Sequence, residues 1–221
     1  MNVIDPDGKE TTPPGDYYNQ KGDKMGTDGI NDGKLYIVKN GRRNEHNIKR
    51  ALENEDYMQA QSLSVLVPNS TSREAMGKAA DDTGENQEQG GVGLLLKDGT
   101  YTDARTLPGK VAKEGDAYAT VDVNPNVENV PKIKELAQAN LLAPLIATDV
   151  DYKTVYDYHT HPTGKWVQTP SDVDISLAKT KGDLPLNRYV ISPKTNTVHI
   201  YNGDGVITKF PLDKFRTIKP N

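Results

Sequence analysis

The sequence contains no cysteine, and this absence excludes several kinds of structure. The chain forms no disulfide, and it has no thiolate with which to bind zinc. Zinc-dependent nucleobase deaminases are excluded as well, because they hold their metal through a Pro-Cys-x-x-Cys element. Any zinc site in this chain must therefore be built from histidine and carboxylate ligands.

Long apolar runs and an excess of positive charge are also missing. No segment approaches the roughly 20 apolar residues of a membrane-spanning helix, and no charged-then-apolar leader opens the sequence, so we expect no Sec-type signal peptide. The net charge of −4, with both signs interspersed, argues against a nucleic-acid groove. The mean hydropathy of −0.72 predicts a modest core and long loops. A length of 221 residues allows one domain with an appendage.

The first part of the chain is dense in turn signals. Asp-Pro-Asp-Gly, Pro-Pro-Gly-Asp and Asn-Asp-Gly-Lys segments alternate with short Tyr and Val runs, and this pattern predicts small hairpins up to about residue 45. A polar helical pattern over residues 46–61 predicts a bridging helix. Its few apolar anchors are Ile48, Leu52 and Met58. We therefore predict a turn-rich appendage, residues 1–66, and a main domain, residues 67–221.

The main domain is predicted to be α/β, with a mixed β-sheet flanked by helices. The predicted helices are residues 71–80 and 131–142, and the predicted strands are residues 88–96, 100–105, 150–158, 188–192, 197–201 and 205–211. The glycine-rich start of the first strand is not a phosphate loop, because no Gly-Lys-Ser/Thr follows. We expect its glycines to let a substrate strand or a metal-binding loop approach the sheet. His199 alternates with apolar neighbours and is predicted to be structural, on the outer sheet face.

Two histidines one residue apart, His159 and His161, follow a Tyr-, Val- and Thr-rich segment that predicts a strand. Residues i and i+2 of a strand share a face, so both imidazoles can point at one position, and Pro162 ends the strand beside them. Ser171 has the character of an N-cap, which places two aspartates in the first turn of the next helix. Two imidazoles and one carboxylate form the ligand set of a catalytic zinc. The alternative is a pair of partly exposed histidines in a turn.

These residues carry a family resemblance. His159-Thr160-His161-Pro162 followed by Ser171-x-x-Asp174 resembles the JAMM motif of the MPN/JAB superfamily, whose members include zinc-dependent deubiquitinating isopeptidases. Nine residues separate His161 from Ser171, two more than in the usual family pattern. The motif also includes an upstream glutamate before an apolar strand, and Glu88 precedes the segment Gly-Gly-Val-Gly-Leu-Leu-Leu.

The resemblance implies an architecture and a set of roles. The fold would be the JAMM/MPN mixed sheet, which is similar to that of cytidine deaminases, over about residues 70–218. The implied zinc ligands are His159, His161 and Asp174. Glu88 would act as general base, and Ser171 would donate a hydrogen bond to the developing oxyanion.

Two neighbours of the motif receive other interpretations. Asp157 is left outside the predicted site, on the expectation that strand alternation turns its carboxylate to the opposite face. Trp166, in the spacer between the histidines and Ser171, either forms an apolar lid or substrate contact with Val167 or packs the loop down.

A second resemblance concerns the opening residues. The segment Asn2 to Gly8, with its Asp-Pro-Asp-Gly sequence, resembles the end of an Rhs repeat-associated core, which precedes a variable C-terminal domain. This resemblance implies a C-terminal toxin or effector, carried inside an Rhs shell, exported with it and paired with a cognate immunity protein. The expected activity is hydrolysis of peptide or isopeptide bonds in a protein substrate of a target cell. Two alternatives stay open, namely an inert binding module on the same fold and a metal-dependent hydrolase of another bond, such as a nuclease.

Overall fold

The protein consists of two units. The computed structural model describes residues 15–29, 34–96, 99, 101–117, 119–125, 128–133, 135, 152–180 and 187–219. The first unit comprises Met1–Ser70 and Thr217–Asn221, and the second comprises Thr71–Arg216. The predicted boundary between residues 66 and 67 stays a prediction. The opening Asp-Pro-Asp-Gly segment and most of the helix predicted over residues 131–142 lie outside the described residues.

The first unit contains a mixed four-stranded sheet in the order β2-β1-β3-β4, with two helices. Its elements are β1 (Asp16–Tyr18), β2 (Lys24–Thr27), β3 (Leu35–Val38), α1 (Asn44–Glu53), α2 (Tyr57–Ser62) and β4 (Ser64–Val67). Strand β1 pairs antiparallel with β2 and parallel with β3. The rings of Tyr17 and Tyr36 stack with their centroids 4.9 Å apart, and this pair belongs to the core of the unit.

The single helix predicted over residues 46–61 is wrong, because the segment forms two helices. Glu55 adopts a left-handed backbone conformation with φ 57° and ends the first. The Asp56 side chain then accepts a hydrogen bond from the backbone N–H of Gln59, which starts α2. Ile48 is buried as predicted, but Met58 is 72% exposed and anchors nothing.

The second unit contains a mixed six-stranded sheet in the order β10-β9-β8-β7-β5-β6. Its elements are α3 (Ser70–Asp81), β5 (Gly90–Leu96), β6 (Tyr101–Arg105), β7 (Tyr152–Thr160), α4 (Asp172–Thr180), β8 (Arg188–Ser192), β9 (Thr197–Asn202), β10 (Gly205–Pro211) and α5 (Leu212–Thr217). Strands β7 and β8 are parallel, and the other neighbouring pairs are antiparallel. A parallel pair needs a crossover connection, and α4 lies in it. The predicted fold class is therefore confirmed as mixed α/β sheets flanked by helices.

One face of this sheet carries an aromatic core that includes residues of α3 and α5. The ring of Tyr156 meets that of Tyr189 edge to face at 6.0 Å, and Tyr189 lies 6.2 Å from the ring of Phe215 in α5. Arg73 of α3 is fully buried and donates a 2.6 Å hydrogen bond to the Phe215 carbonyl. The opposite face is the one that carries the histidine motif.

The glycines of β5 serve a purpose other than the predicted one on the aromatic face. A Cβ atom at Gly91 would overlap the ring and hydroxyl of Tyr158, and one at Gly93 would overlap the ring of Tyr156. Both tyrosines therefore reach across β5 and donate hydrogen bonds to Asp103 of β6, at 2.8 Å from Tyr156 and 3.1 Å from Tyr158. The glycines admit tyrosine rings there, not a substrate strand.

Candidate active site

The two histidines of the motif lie side by side where β7 ends. His159 is 6% exposed and His161 is 5% exposed, and their Nε2 atoms are 3.2 Å apart. The Nδ1–H of His161 donates a 2.6 Å hydrogen bond to the carbonyl of Val167. A neutral imidazole that donates through Nδ1 presents the lone pair of Nε2, which is how metal-ligating histidines are commonly oriented. The alternative of partly exposed turn histidines is wrong, because both rings are buried.

Asp174 completes the group from the first turn of α4. Its Oδ1 lies 3.3 Å from His159 Nε2, and its Oδ2 lies 3.7 Å from His161 Nε2. Two ligands that bind a tetrahedral zinc at about 2.0–2.1 Å are about 3.3 Å apart, which is the separation of Asp174 Oδ1 from His159 Nε2. One ligand atom of each residue lies within 4.8 Å of the others, and the group can hold a metal ion.

Ser171 fixes the position of Asp174 through a reciprocal capping arrangement. The backbone N–H and the hydroxyl of Ser171 each donate a 2.7 Å hydrogen bond to Asp174 Oδ2. The backbone N–H of Asp174 in turn donates to Ser171 Oγ at 3.2 Å. This is the capping box of a helix start, so the same side chains begin α4 and orient the carboxylate. Ser171 also lines the cavity described below, but its predicted oxyanion role stays a prediction.

Glu88 reaches the group from the neighbouring strand. Strands β5 and β7 pair antiparallel with Gly90 opposite His159, and the Thr160 N–H donates to the Gln89 carbonyl at 2.8 Å. Continuing this register places Glu88 opposite His161, and residues opposite each other project on the same face. Glu88 is 7% exposed and lines the same cavity as His159, His161 and Asp174, so the structure brings the predicted base to the predicted ligands.

The burial of these groups shifts their proton affinities. Burial raises the pKa of Glu88 to about 7, although the nearby His159 opposes the shift. Burial lowers the pKa of His159, but the Asp174 carboxylate outweighs it and brings the pKa to about 9. Burial likewise disfavours ionised Asp174, yet hydrogen bonds with His159 and His161 hold its pKa well below the usual range. Both shifts show that the group favours positive charge beside the Asp174 carboxylate, and a bound cation would supply such a charge.

The group opens into a cavity of about 280 Å³. Its walls are largely apolar, and a cavity of this kind with a few convergent polar groups is typical of a small-molecule or substrate site. The apolar lining residues are Ala117, Ala119, Val121, Val123, Pro162, Trp166, Val167, Val173 and Leu177. Gly90 lies beneath this lining, since a Cβ atom there would crowd Val123. At Gly90 the space is therefore used by Val123, and the expected approach of a substrate strand or a metal-binding loop stays a prediction there.

The spacer after the histidines is tied to the segment before Glu88. The backbone N–H groups of Thr163 and Gly164 donate to the carbonyls of Gly84 and Glu85, both at 3.1 Å. Trp166 Nε1–H also donates to the Glu85 carbonyl, at 3.0 Å, while the side chain lines the cavity. Trp166 therefore both packs the loop down and forms part of the cavity wall.

Sequence reasoning missed Asp157 and misplaced His199. Asp157 precedes His159 by two positions, so alternation puts both on the same face, and the expectation of opposite faces is wrong. Asp157 is 3% exposed and its carboxylate raises the pKa of His159. His199 pairs with Val190, which pairs with His159, so His199 lies on the face of the site. It is 7% exposed, and burial lowers its pKa to about 4, so the predicted outer position is wrong.

Comparison with known proteins found no protein-family model and no curated protein that matches the chain. The JAMM/MPN and Rhs resemblances therefore rest on the motifs alone. Within the part of the chain that the structure describes, no helix combines the length and apolar character needed to cross a membrane.

Proposed function

We propose that the second unit is a zinc-dependent hydrolase that cleaves peptide or isopeptide bonds. The observation that carries this proposal is the meeting of Glu88 with the His159, His161 and Asp174 group in one cavity. A carboxylate base beside a metal group is the arrangement that metal-dependent amide hydrolysis requires. The resemblance of the motif to that of JAMM isopeptidases supports the same class of reaction.

Each residue of the site has a distinct role in the proposed hydrolysis. His159, His161 and Asp174 would hold the zinc, which when bound supplies a water of lowered pKa and polarises the substrate carbonyl. Glu88 accepts a proton from the attacking water as the water oxygen adds to the carbonyl carbon. Glu88 then donates that proton to the amine nitrogen as the C–N bond breaks. Its pKa of about 7 suits both transfers at neutral pH. Ser171 would donate a hydrogen bond to the carbonyl oxygen as negative charge develops there, and for this its hydroxyl turns away from Asp174 Oδ2, to which it donates in the structure.

The decisive experiment replaces Glu88 by Gln and measures cleavage of a peptide and isopeptide library by the zinc-loaded protein. We expect a loss of about 10²–10⁴-fold in rate, because the general base is gone. The zinc content should stay unchanged, since Glu88 is not among the three proposed ligands. Glu85→Gln is the matched control, because Glu85 is exposed and its side chain lies outside the cavity lining. Full activity of Glu88→Gln would overturn the proposal, and zinc binding without any cleavage would favour an inert binding module.

The cellular role that we propose is that of an effector domain delivered by an Rhs-type protein, and it rests on the opening motif alone. Production of the second unit inside bacteria should then arrest growth. Glu88→Gln should abolish the arrest while Glu85→Gln keeps it, and a cognate immunity protein should restore growth of the wild type. Growth arrest that persists in Glu88→Gln would show that the harm does not come from hydrolysis. Degraded nucleic acid in arrested cells would instead indicate a nuclease.

A further inference from the structure

Three polar side chains form a row across the face of the sheet that carries the site. Asp157 of β7 pairs with Arg188 of β8, and Arg188 pairs with Tyr201 of β9. Residues that pair across neighbouring strands project on the same face, so the three side chains are adjacent. The row lies one alternation step from His159, about 7 Å along β7.

Arg188 is the centre of this row. It is 5% exposed, and its Nη2 lies 3.2 Å from Asp157 Oδ2. Among the described residues, however, Nη2 makes no hydrogen bond. An arginine presents five N–H donors, so a single carboxylate neighbour leaves donor capacity in the guanidinium. A buried donor without an acceptor is costly, and a ligand that accepts from it would relieve that cost.

Tyr201 adds a second donor to the same place. Its hydroxyl faces the Arg188 side chain, which acts on the Tyr201 pKa as a hydrogen-bond donor would, by lowering it. Because a guanidinium only donates, the Tyr201 oxygen is the acceptor, and its own proton is left to donate elsewhere. Burial raises the pKa of Tyr201, so the phenol keeps that proton throughout the physiological range.

Arg188 and Tyr201 line the same cavity as the proposed metal ligands, which are His159, His161 and Asp174. Among the described lining residues, Arg188 is the only Lys or Arg. Its Cα lies about 8 Å from that of His159, by the spacing of residues along and between strands. This distance spans about two residues of extended peptide, so a substrate with its scissile amide at the metal group can place a neighbouring carboxylate at Arg188.

We propose that Arg188 and Tyr201 bind a carboxylate of the substrate next to the bond that is cleaved. This inference rests on the proposed hydrolase function and adds the substrate class to it. The carboxylate is either the free C-terminus of a chain or an acidic side chain. The planar fork of arginine binds carboxylates in two-pronged geometry, and Asp157 holds the guanidinium in place for it.

The test measures binding of three acetylated dipeptides by calorimetry, with the Glu88→Gln protein so that none is cleaved. One probe is Ac-Ala-Ala with a free carboxylate, one is its carboxamide, and one is Ac-Ala-Asp carboxamide. We expect one of the two acidic probes to bind about 10- to 100-fold more tightly than the neutral probe, the range typical of hydrogen bonds to charged groups. The acidic probe that binds more tightly shows whether the carboxylate is a free C-terminus or an acidic side chain.

The second arm tests which residues cause the preference. In the Glu88→Gln background, Arg188→Gln should bring the preference to about onefold, and Arg42→Gln, an exposed arginine in the first unit, should leave it intact. Tyr201→Phe keeps the Asp157–Arg188 pair and should reduce the preference, so the proposal is testable even if Arg188→Gln fails to fold. Equal binding of all three probes, or a preference that survives in Tyr201→Phe and in folded Arg188→Gln, would overturn the proposal.

Comparison of these titrations with the cleavage assay of the zinc-loaded wild type separates this proposal from the proposed reaction. If the variant prefers a carboxylate but the wild type cleaves no substrate, the carboxylate subsite is supported and the hydrolase function is refuted. If the wild type cleaves substrates but the variant shows no carboxylate preference, the hydrolase function is supported and the carboxylate subsite is refuted.

Discussion

Zinc should stabilise the folded second unit, and the response should depend on three named side chains. The perturbation is a zinc titration of the wild type, of His161→Ala and of Asp174→Asn. At a free zinc concentration about 100 times the Kd, a ligand that binds only the folded state contributes about 2.7 kcal/mol. For a domain of this size each kcal/mol raises Tm by about 2–4 °C, so the expected shift is about 5–11 °C.

The structure explains why either substitution should suppress that shift. One ligand atom of each of the three side chains lies within 4.8 Å of the others, and loss of any one side chain leaves a tetrahedral cation with only two protein ligands. Asp174→Asn also removes the negative charge that faces both rings. His46→Ala is the matched control, because His46 is exposed on α1 of the other unit. The measurement is differential scanning calorimetry with zinc content determined in parallel. A wild-type Tm that does not respond to zinc, or a full response of His161→Ala, would refute the reasoning.

Three further predictions concern stability and metal affinity. Burial raises the pKa of Asp103 to about 6, so the folded state favours the protonated form, and the free energy of unfolding should fall by up to about 3 kcal/mol as pH rises from about 4 to 6 and then level off. Urea unfolding should show this slope, and Asp103→Asn should flatten it. Gly93→Val should destabilise the fold by about 1–3 kcal/mol or more, because its side chain would overlap Tyr156. Gly84→Ala, which meets no atom within 4 Å, should be near neutral in the same assay. Ser171→Ala should lower metal affinity by about 10–100-fold in a competition titration with a chelator, and an unchanged affinity would show that Asp174 needs no support.

Local rules sufficed to predict that His159, His161 and Asp174 meet. Alternation along one strand brings His159 and His161 to one face, and the capping box places Asp174 at the start of α4, since both rules act within a few residues. The position of Glu88 required the register of β5 against β7, which local rules do not determine. The family resemblance supplied that residue, and the structure agrees with it.

The sequence predictions were wrong at positions whose surroundings are formed by residues distant in the chain. The rings that fill the space above Gly91 and Gly93 come from β7, so no rule applied to β5 alone could identify them. The row of Arg188 and Tyr201 depends on the pairing of β7, β8 and β9 and could not be read from the motif. Asp157 is a different case, because correct use of alternation would have placed it beside His159.

The chain order of the site has a consequence for how the protein folds. The outermost of the proposed metal ligands, His159 and Asp174, are 15 positions apart, whereas Glu88 lies 71 positions before His159. Closing the longer loop costs about 1.4 kcal/mol more in chain entropy. We therefore expect the β7–α4 segment to bind a cation early during folding. The segment that contains Glu88 and leads into β5 would pair with β7 afterwards. A newly made chain would then pass through a state that holds metal but lacks its base, and it would become reactive only once the sheet is complete.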